Sequence, residues 1–157
     1  MLHLYVIAAR IRGLPRVQAG VWQQHLLDHF FYDAENRMET RHHMHSGGVR
    51  KKYLRDLFVQ WRGLLCAYDE GLVRGDAVLA AAIWRNIFKA DEDVDIKNLA
   101  LIVSYVRRTL RSLDAVSDDT LMAGLVKFGS PVAELSVVTL RSQMMDVKLT
   151  DFEGCES

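Results

Sequence analysis

Apolar residues recur along this chain at intervals of three and four and rarely alternate strictly with polar ones. The first spacing marks one face of an α-helix; strict alternation would mark a half-buried strand. Only Pro15 and Pro131 interrupt the chain as prolines, so little opposes long helices. The pattern predicts an all-α fold, a single compact domain of five or six helices over residues 1–140, with a weakly structured tail over 141–157.

The first helix is predicted from Leu2 to about Leu14, stopped by Gly13, Leu14 and Pro15. Its apolar residues nearly encircle it, which demands burial on most sides. Its abrupt opening at Met1 suggests missing upstream sequence, so the chain is expected to be N-terminally truncated. Three arginines and no acid precede Asp28, superficially as in a mitochondrial presequence, but the dense apolar pattern favours a packed helix. A second helix, from about Val17 to Met38, carries a stripe of Val17, Val21, Leu26, Phe30, Phe31 and Ala34. The segment His42 to Gly48 reads as a turn, its paired glycines supplying positive φ. A third helix, from about Val49 to Leu72, carries Tyr53, Leu57, Trp61, Leu64, Leu65, Tyr68 and Leu72 on one stripe.

Beyond Gly71 and Gly75, Asp76 is placed to cap a fourth helix, AVLAAAIWRNIF, whose alanines permit close packing. Asp95 is a cap for a fifth, from about Ile96 to Ala115, and Ser117 for a short sixth, DDTLMAGL, before the break at Gly129 to Pro131.

Charge narrows the possible partners. Twenty basic and twenty acidic side chains leave no net charge, so no global attraction to polyanions arises and DNA is not an expected partner. Cys66 and Cys155 lie far apart with no paired framework, which fits a reducing compartment. No apolar run reaches the roughly 20 residues needed to span a bilayer.

Five of the six histidines lie between His25 and His45. His25 and His29 share a helix face that Asp33 continues, and Glu39-x-x-His42 has the spacing used by di-iron bundles. Such a site needs a second E-x-x-H pair and further glutamates, and the chain has no second pair. A solvated histidine cluster is therefore preferred, and no metal or cofactor is expected. No nucleophile elbow, phosphate loop or dinucleotide fingerprint is present. Cys66 is read as an inert thiol in an apolar stripe, Tyr68, Asp69 and Glu70 as packing and surface groups, and Arg74-Gly75-Asp76 as a turn and cap. Arg50, Lys51, Lys52 and Arg55 form a candidate basic patch, read first as a solvated helix face because exposed aromatics are not interleaved with it.

Two segments, YDEGLVRGDAVLAAAIWRNIF (Tyr68 to Phe88) and LALIVSYVRRTLRSLDAVSDD (Leu99 to Asp119), resemble the core of the ubiquinol-cytochrome c chaperone family. LHLYVIAARIR and HFFYDAENRM resemble the same domain in its fungal members, and the resemblance covers about Leu2 to Gly129. Its most specific features are an aspartate-glycine turn from Tyr68 to Gly71, the Ala-rich helix ending in Ala82, Trp84 and Arg85, and Tyr105, Val106 and Arg107.

The resemblance implies a helical, non-enzymatic assembly chaperone for mitochondrial respiratory complex III, on the matrix side of the inner membrane and without a spanning segment. It further implies that newly synthesised cytochrome b, a small assembly partner protein and the mitochondrial ribosome are partners. Tyr68, Asp69, Glu70, Trp84, Arg85, Tyr105 and Arg107 become candidate partner-binding residues, although Trp84 reads more readily as a core residue than as an exposed anchor. An apolar groove near helices one, three and four is expected to hold the partner, and the basic start of helix three to assist ribosome proximity. Two alternatives remain open: a helical metalloenzyme built on His25, His29 and Glu39, and an RNA-associated module using Arg50 to Arg55.

Overall fold

The computed structural model describes residues 1–140; the predicted tail over 141–157, with Cys155, lies outside the described residues. Among the described residues the regular structure is entirely helical: α1 (Leu2–Ile11), α2 (Arg16–Thr40), α3 (Gly47–Arg74), α4 (Asp76–Asn86), α5 (Ile96–Asp114), α6 (Asp118–Met122), a 3-10 turn (Pro131–Glu134) and α7 (Leu135–Val138). The all-α prediction is borne out, with the four-residue α7 added after the Gly/Pro break.

α5 is the axis of the core. It buries Val103, Tyr105, Val106, Thr109 and Leu113. α1 lies on it with Leu4, Tyr5, Val6, Ala8 and Ile11 buried, so most of the near-encircling apolar surface of the first helix is covered, while Leu2 and Ile7 stay half-buried. α4 contributes Leu79, Ala82 and Ile83. In α3 only the second half reaches the core, through Trp61, Leu64, Tyr68 and Gly71. These four share one face, and Cys66 falls off it: the thiol is exposed rather than inside an apolar stripe.

α2 departs most from expectation. None of its residues is fully buried, and Val17, at 82% exposure, and Val21, at 52%, stand in solvent. The helix lies at the edge of the bundle, where Leu26, Leu27 and Phe30 lean on the core while the start of the predicted stripe has nothing to pack against.

The helix ends explain the connections. Asp95 accepts the Lys97 N–H at 2.9 Å and Ser117 accepts that of Thr120 at 3.3 Å, as their spacing predicts. Asp76 does not cap α4: Gly75, at φ 114°, reverses the chain so sharply that Asp76 is already helical, and its carboxylate accepts from Arg107 Nε at 2.9 Å. Before α3 the roles are exchanged as well. Gly47 and Gly48 form its first turn, while the positive φ, 52°, falls on His43. Nor is there a turn from Tyr68 to Gly71. α3 runs unbroken through it to Arg74, and Gly71 serves a different purpose, letting the α4 backbone at Leu79 approach.

Candidate partner-binding site

The predicted partner-binding residues divide into a buried scaffold and an exposed edge. Tyr68 is fully buried, its ring edge-on to Tyr5 with centroids 5.1 Å apart. Burial pushes its phenol up to about 12, and its hydroxyl has no hydrogen-bond partner among the described residues. Next to it, Asp69 ties α3 to α1: it accepts from Tyr5 Oη at 2.8 Å and from Arg12 Nη1 at 2.9 Å. Burial and the neighbouring Asp69 carboxylate hold the Tyr5 phenol well above its ordinary range. Glu70 faces outward and pairs with Arg74 at 3.0 Å, one helical turn on.

Tyr105 is buried in α5 and shares a 2.8 Å hydrogen bond with His3 Nε2. Arg107 braces the α3–α4 corner, pairing with Asp76 and donating to the Leu72 carbonyl at 3.2 Å. Trp84 is half-buried and donates from Nε1 to the Asp91 carbonyl at 2.6 Å, pinning the loop after α4. Arg85 is exposed.

Of these seven residues, Tyr68 and Arg85 share a cleft. It lies between the start of α1, the middle of α3 and the end of α4, has a volume of about 600 Å³, and is also lined by Leu2, Gln60, Leu64, Ile87 and Lys89. A cleft does lie near helices one, three and four, with mixed walls: Arg85 and Asn86 at the end of α4 and Lys89 after it stand beside apolar Leu2, Leu64 and Ile87.

An apolar groove of about 430 Å³ opens elsewhere, between α1, α2, α6 and the strand-free segment after α6. Ile7, Ile11, Leu14, Trp22, Leu26 and Phe128 supply much of its surface. Sequence reading overlooked it because its walls come from four separate segments. The signals present were the apolar girdle of α1 and Trp22. His25 and His29 stand exposed on its lip, one helical turn apart. His42, His43 and His45 are exposed in the loop after α2, and no three His, Cys, Asp or Glu side chains among the described residues gather closely enough to hold a metal ion.

The basic patch also divides. Arg50 is mostly covered and is spent on structure, donating to the Met44 carbonyl at 2.8 Å and pairing with Glu35 at 3.4 Å. Lys51, Lys52 and Arg55 are exposed, and Tyr53, 48% exposed, stands among them. The interleaved aromatic is therefore present, contrary to expectation. The spacing puts Tyr53 on the core stripe, but the first half of α3 has no core to enter.

Comparison with known proteins converges on one family. A family model described as ubiquinol-cytochrome C chaperone matches residues 1–128. The chain is 33% identical over 143 residues to "Protein CBP3, mitochondrial" of Saccharomyces cerevisiae, covering 91% of this chain and 43% of that protein. It is 36% identical over 128 residues to the ubiquinol-cytochrome-c reductase complex assembly factor 1 of Xenopus laevis, covering 80% and 61%, respectively. It is 27% identical over 129 residues to the Homo sapiens protein of that name, covering 82% and 42%. The chain thus spans about half the length of the curated relatives it matches. No solved structure matches it.

Proposed function

Because the chain belongs to the ubiquinol-cytochrome c chaperone family, we propose that it is a non-enzymatic assembly chaperone of mitochondrial respiratory complex III that receives newly synthesised cytochrome b. The observation that carries this reading beyond the family's name is the open apolar groove of about 430 Å³. A membrane protein that has left the ribosome but not yet packed presents helices rich in Leu, Ile and Phe, and an apolar groove on a helical scaffold receives such a face through residues at i, i+3, i+4 and i+7 on successive turns. Each 100 Å² of apolar surface so removed from water contributes about 2.5 kcal/mol.

The exposed face of α3 supplies the second contact. Lys51, Lys52 and Arg55 with Tyr53 between them combine positive charge with a stacking ring, the pairing that single-stranded RNA recognition uses. This favours a compatible second reading, in which the chain reaches the mitochondrial ribosome partly through its RNA. The small assembly partner is assigned to the cleft holding Tyr68 and Arg85. No helix among the described residues is long and apolar enough to cross a membrane.

Site-specific photocrosslinking in translating mitochondria tests the client assignment. A crosslinker at Trp22 is expected to capture newly made cytochrome b, and Met122→Asp, at a half-buried position on the groove wall, to abolish capture while the protein stays folded. Capture of cytochrome b only from positions outside the groove refutes the client assignment. Ribosome co-sedimentation unchanged by Lys51→Glu with Lys52→Glu refutes the role of the α3 face.

A further inference from the structure

A further groove, of about 390 Å³, opens between α4, α5 and α7. Ala80 of α4, Leu99, Ala100 and Val103 of α5 and Val137 of α7 give it a largely apolar lining. Ile96, which extends the α5 stripe by one turn, also lines it and is 79% exposed, and Val137 is 55% exposed. Apolar surface that stays against water in this way gains free energy from whatever segment covers it.

The charge of the groove is one-sided. Arg107 and Arg111 line it against a single carboxylate, that of Asp76, which already pairs with Arg107 at 2.9 Å. Arg111 is exposed and makes no ion pair among the described residues. An occupant that fits both the lining and the charge carries apolar side chains with an excess of acid.

The chain supplies such a segment within reach. Val137 lies on the groove, and Leu140, the last described residue, follows three positions on. The sequence then reads RSQMMDVKLTDFEGCES. Between Met144 and Glu153 it holds Met144, Met145, Val147, Leu149 and Phe152, with Asp146, Asp151 and Glu153 against Lys148 alone. Unbranched, polarizable methionines fill irregular apolar surfaces well. The α5 backbone from Ile96 to Arg111 rises about 22 Å, a distance that about seven extended residues cover.

Tethering favours this segment over a separate chain. A short connection to Leu140 holds it near the groove at an effective concentration of about 1 mM, so contacts too weak to retain an independent partner suffice.

We propose that residues 144–153 dock in the α4–α5 groove, their apolar side chains on Leu99, Ala100 and Val103 and their carboxylates toward Arg111. Docked there, the segment keeps this face from other proteins until it is displaced. The proposal does not depend on the chaperone reading, and the site is separate from the client groove.

The test is NMR on the full chain with labelled Met, Ile, Leu and Val methyls. Cross-peaks are expected between the methyls of Met144 or Met145 and those of Leu99 or Val103, unchanged on tenfold dilution. Ile96→Asp, which places like charge at an exposed position facing the acids, and Arg111→Glu are each expected to weaken these cross-peaks at least threefold while the signals of buried Leu79 and Val106 stay in place. A synthetic peptide of residues 142–154, added to the full chain carrying Met144→Ser and Met145→Ser, is expected to shift the Leu99 and Val103 methyls with a Kd at or below about 1 mM, the value at which a segment so tethered is half docked. Absence of the cross-peaks, indifference to both groove substitutions, or a peptide that leaves the groove methyls unmoved overturns the proposal. Cross-peaks found only between differently labelled copies overturn it in favour of a second copy. Photocapture of cytochrome b from a crosslinker at Ile96 overturns it in favour of the client, whereas capture from Trp22 should be indifferent to every substitution named here, so this site and the client reading fail separately.

Discussion

Gly71 of α3 lies so close to α4 that a β-carbon on it would stand 2.6 Å from the Leu79 Cα. The obstruction is backbone, which no rotamer change relieves. This contact lets α3 and α4 meet near Tyr68 and sets the cleft that Tyr68 and Arg85 line.

Gly71→Ala is therefore expected to destabilise the fold by about 1–3 kcal/mol, the usual cost of overpacking a tight interior. Urea unfolding measures it. Gly20→Ala, where an added β-carbon meets nothing within 4 Å and the residue sits inside α2, should do the opposite and stabilise by about 0.5–1 kcal/mol.

Arg10 closes the far end of the core. It donates from Nε to the Leu113 carbonyl and from Nη2 to that of Val116, both at 2.9 Å, and pairs with Asp118. One guanidinium thus satisfies the carbonyl-rich end of α5 and anchors α6. Arg10→Met should cost about 2–3 kcal/mol, the range for hydrogen bonds to a charged group whose partners are left unmade. Arg10→Lys should recover little, because an ammonium lacks the planar fork that spans these acceptors.

Tyr68→Phe removes a buried hydroxyl without a partner. Removing it should raise stability by about 1 kcal/mol, the low end of the penalty for an unsatisfied buried group, and a higher urea midpoint with an unchanged slope would report it. A loss of stability would show that the hydroxyl is satisfied in solution.

Arg50 and Lys51 are neighbours in sequence with different duties. Arg50→Ala is expected to loosen the α2–α3 hairpin by about 1–2 kcal/mol, through loss of its bonds to the Met44 and His45 carbonyls. Lys51→Ala should stay within about 0.5 kcal/mol, as exposed substitutions do. Hydrogen exchange of the amides at the hairpin tip would distinguish them.

His3 carries a pH dependence. Burial, followed by the positive charge of the amino terminus, lowers its pKa below 6.5 in the folded chain, whereas the unfolded chain protonates near 6.5. The neutral ring stacks on Phe128 at 4.4 Å and bonds to Tyr105. Its contribution is fully present above about pH 6.5 and is lost as pH falls through the lower folded value. The difference in urea midpoint between pH 7.5 and pH 5.5 should therefore be smaller in His3→Gln than in the parent chain.

The helices themselves could be read from residue spacing, since a 3.6-residue period needs only neighbours along the chain. Asp95 and Ser117 cap as their positions dictate, and the girdle of α1 announced its burial. The family was legible too, from Tyr68 to Phe88 and Leu99 to Asp119. Periodicity could not say which part of a stripe has a neighbour. Val17 and Tyr53 fit their stripes as well as Leu26 and Trp61 do, yet one pair meets water and the other protein.

Helix type, the caps at Asp95 and Ser117, and family membership were thus determined by the sequence itself, because propensity, capping and motif are local. Tertiary structure alone decided that Arg50 is structural while Lys51 is free, that Asp76 serves Arg107, that Tyr68 and Arg85 share a cleft, and that α1, α2 and the segment after α6 enclose an apolar groove. The reason is physical: burial, pairing and cavities belong to surfaces built from residues far apart along the chain, and they exist only once the helices have packed.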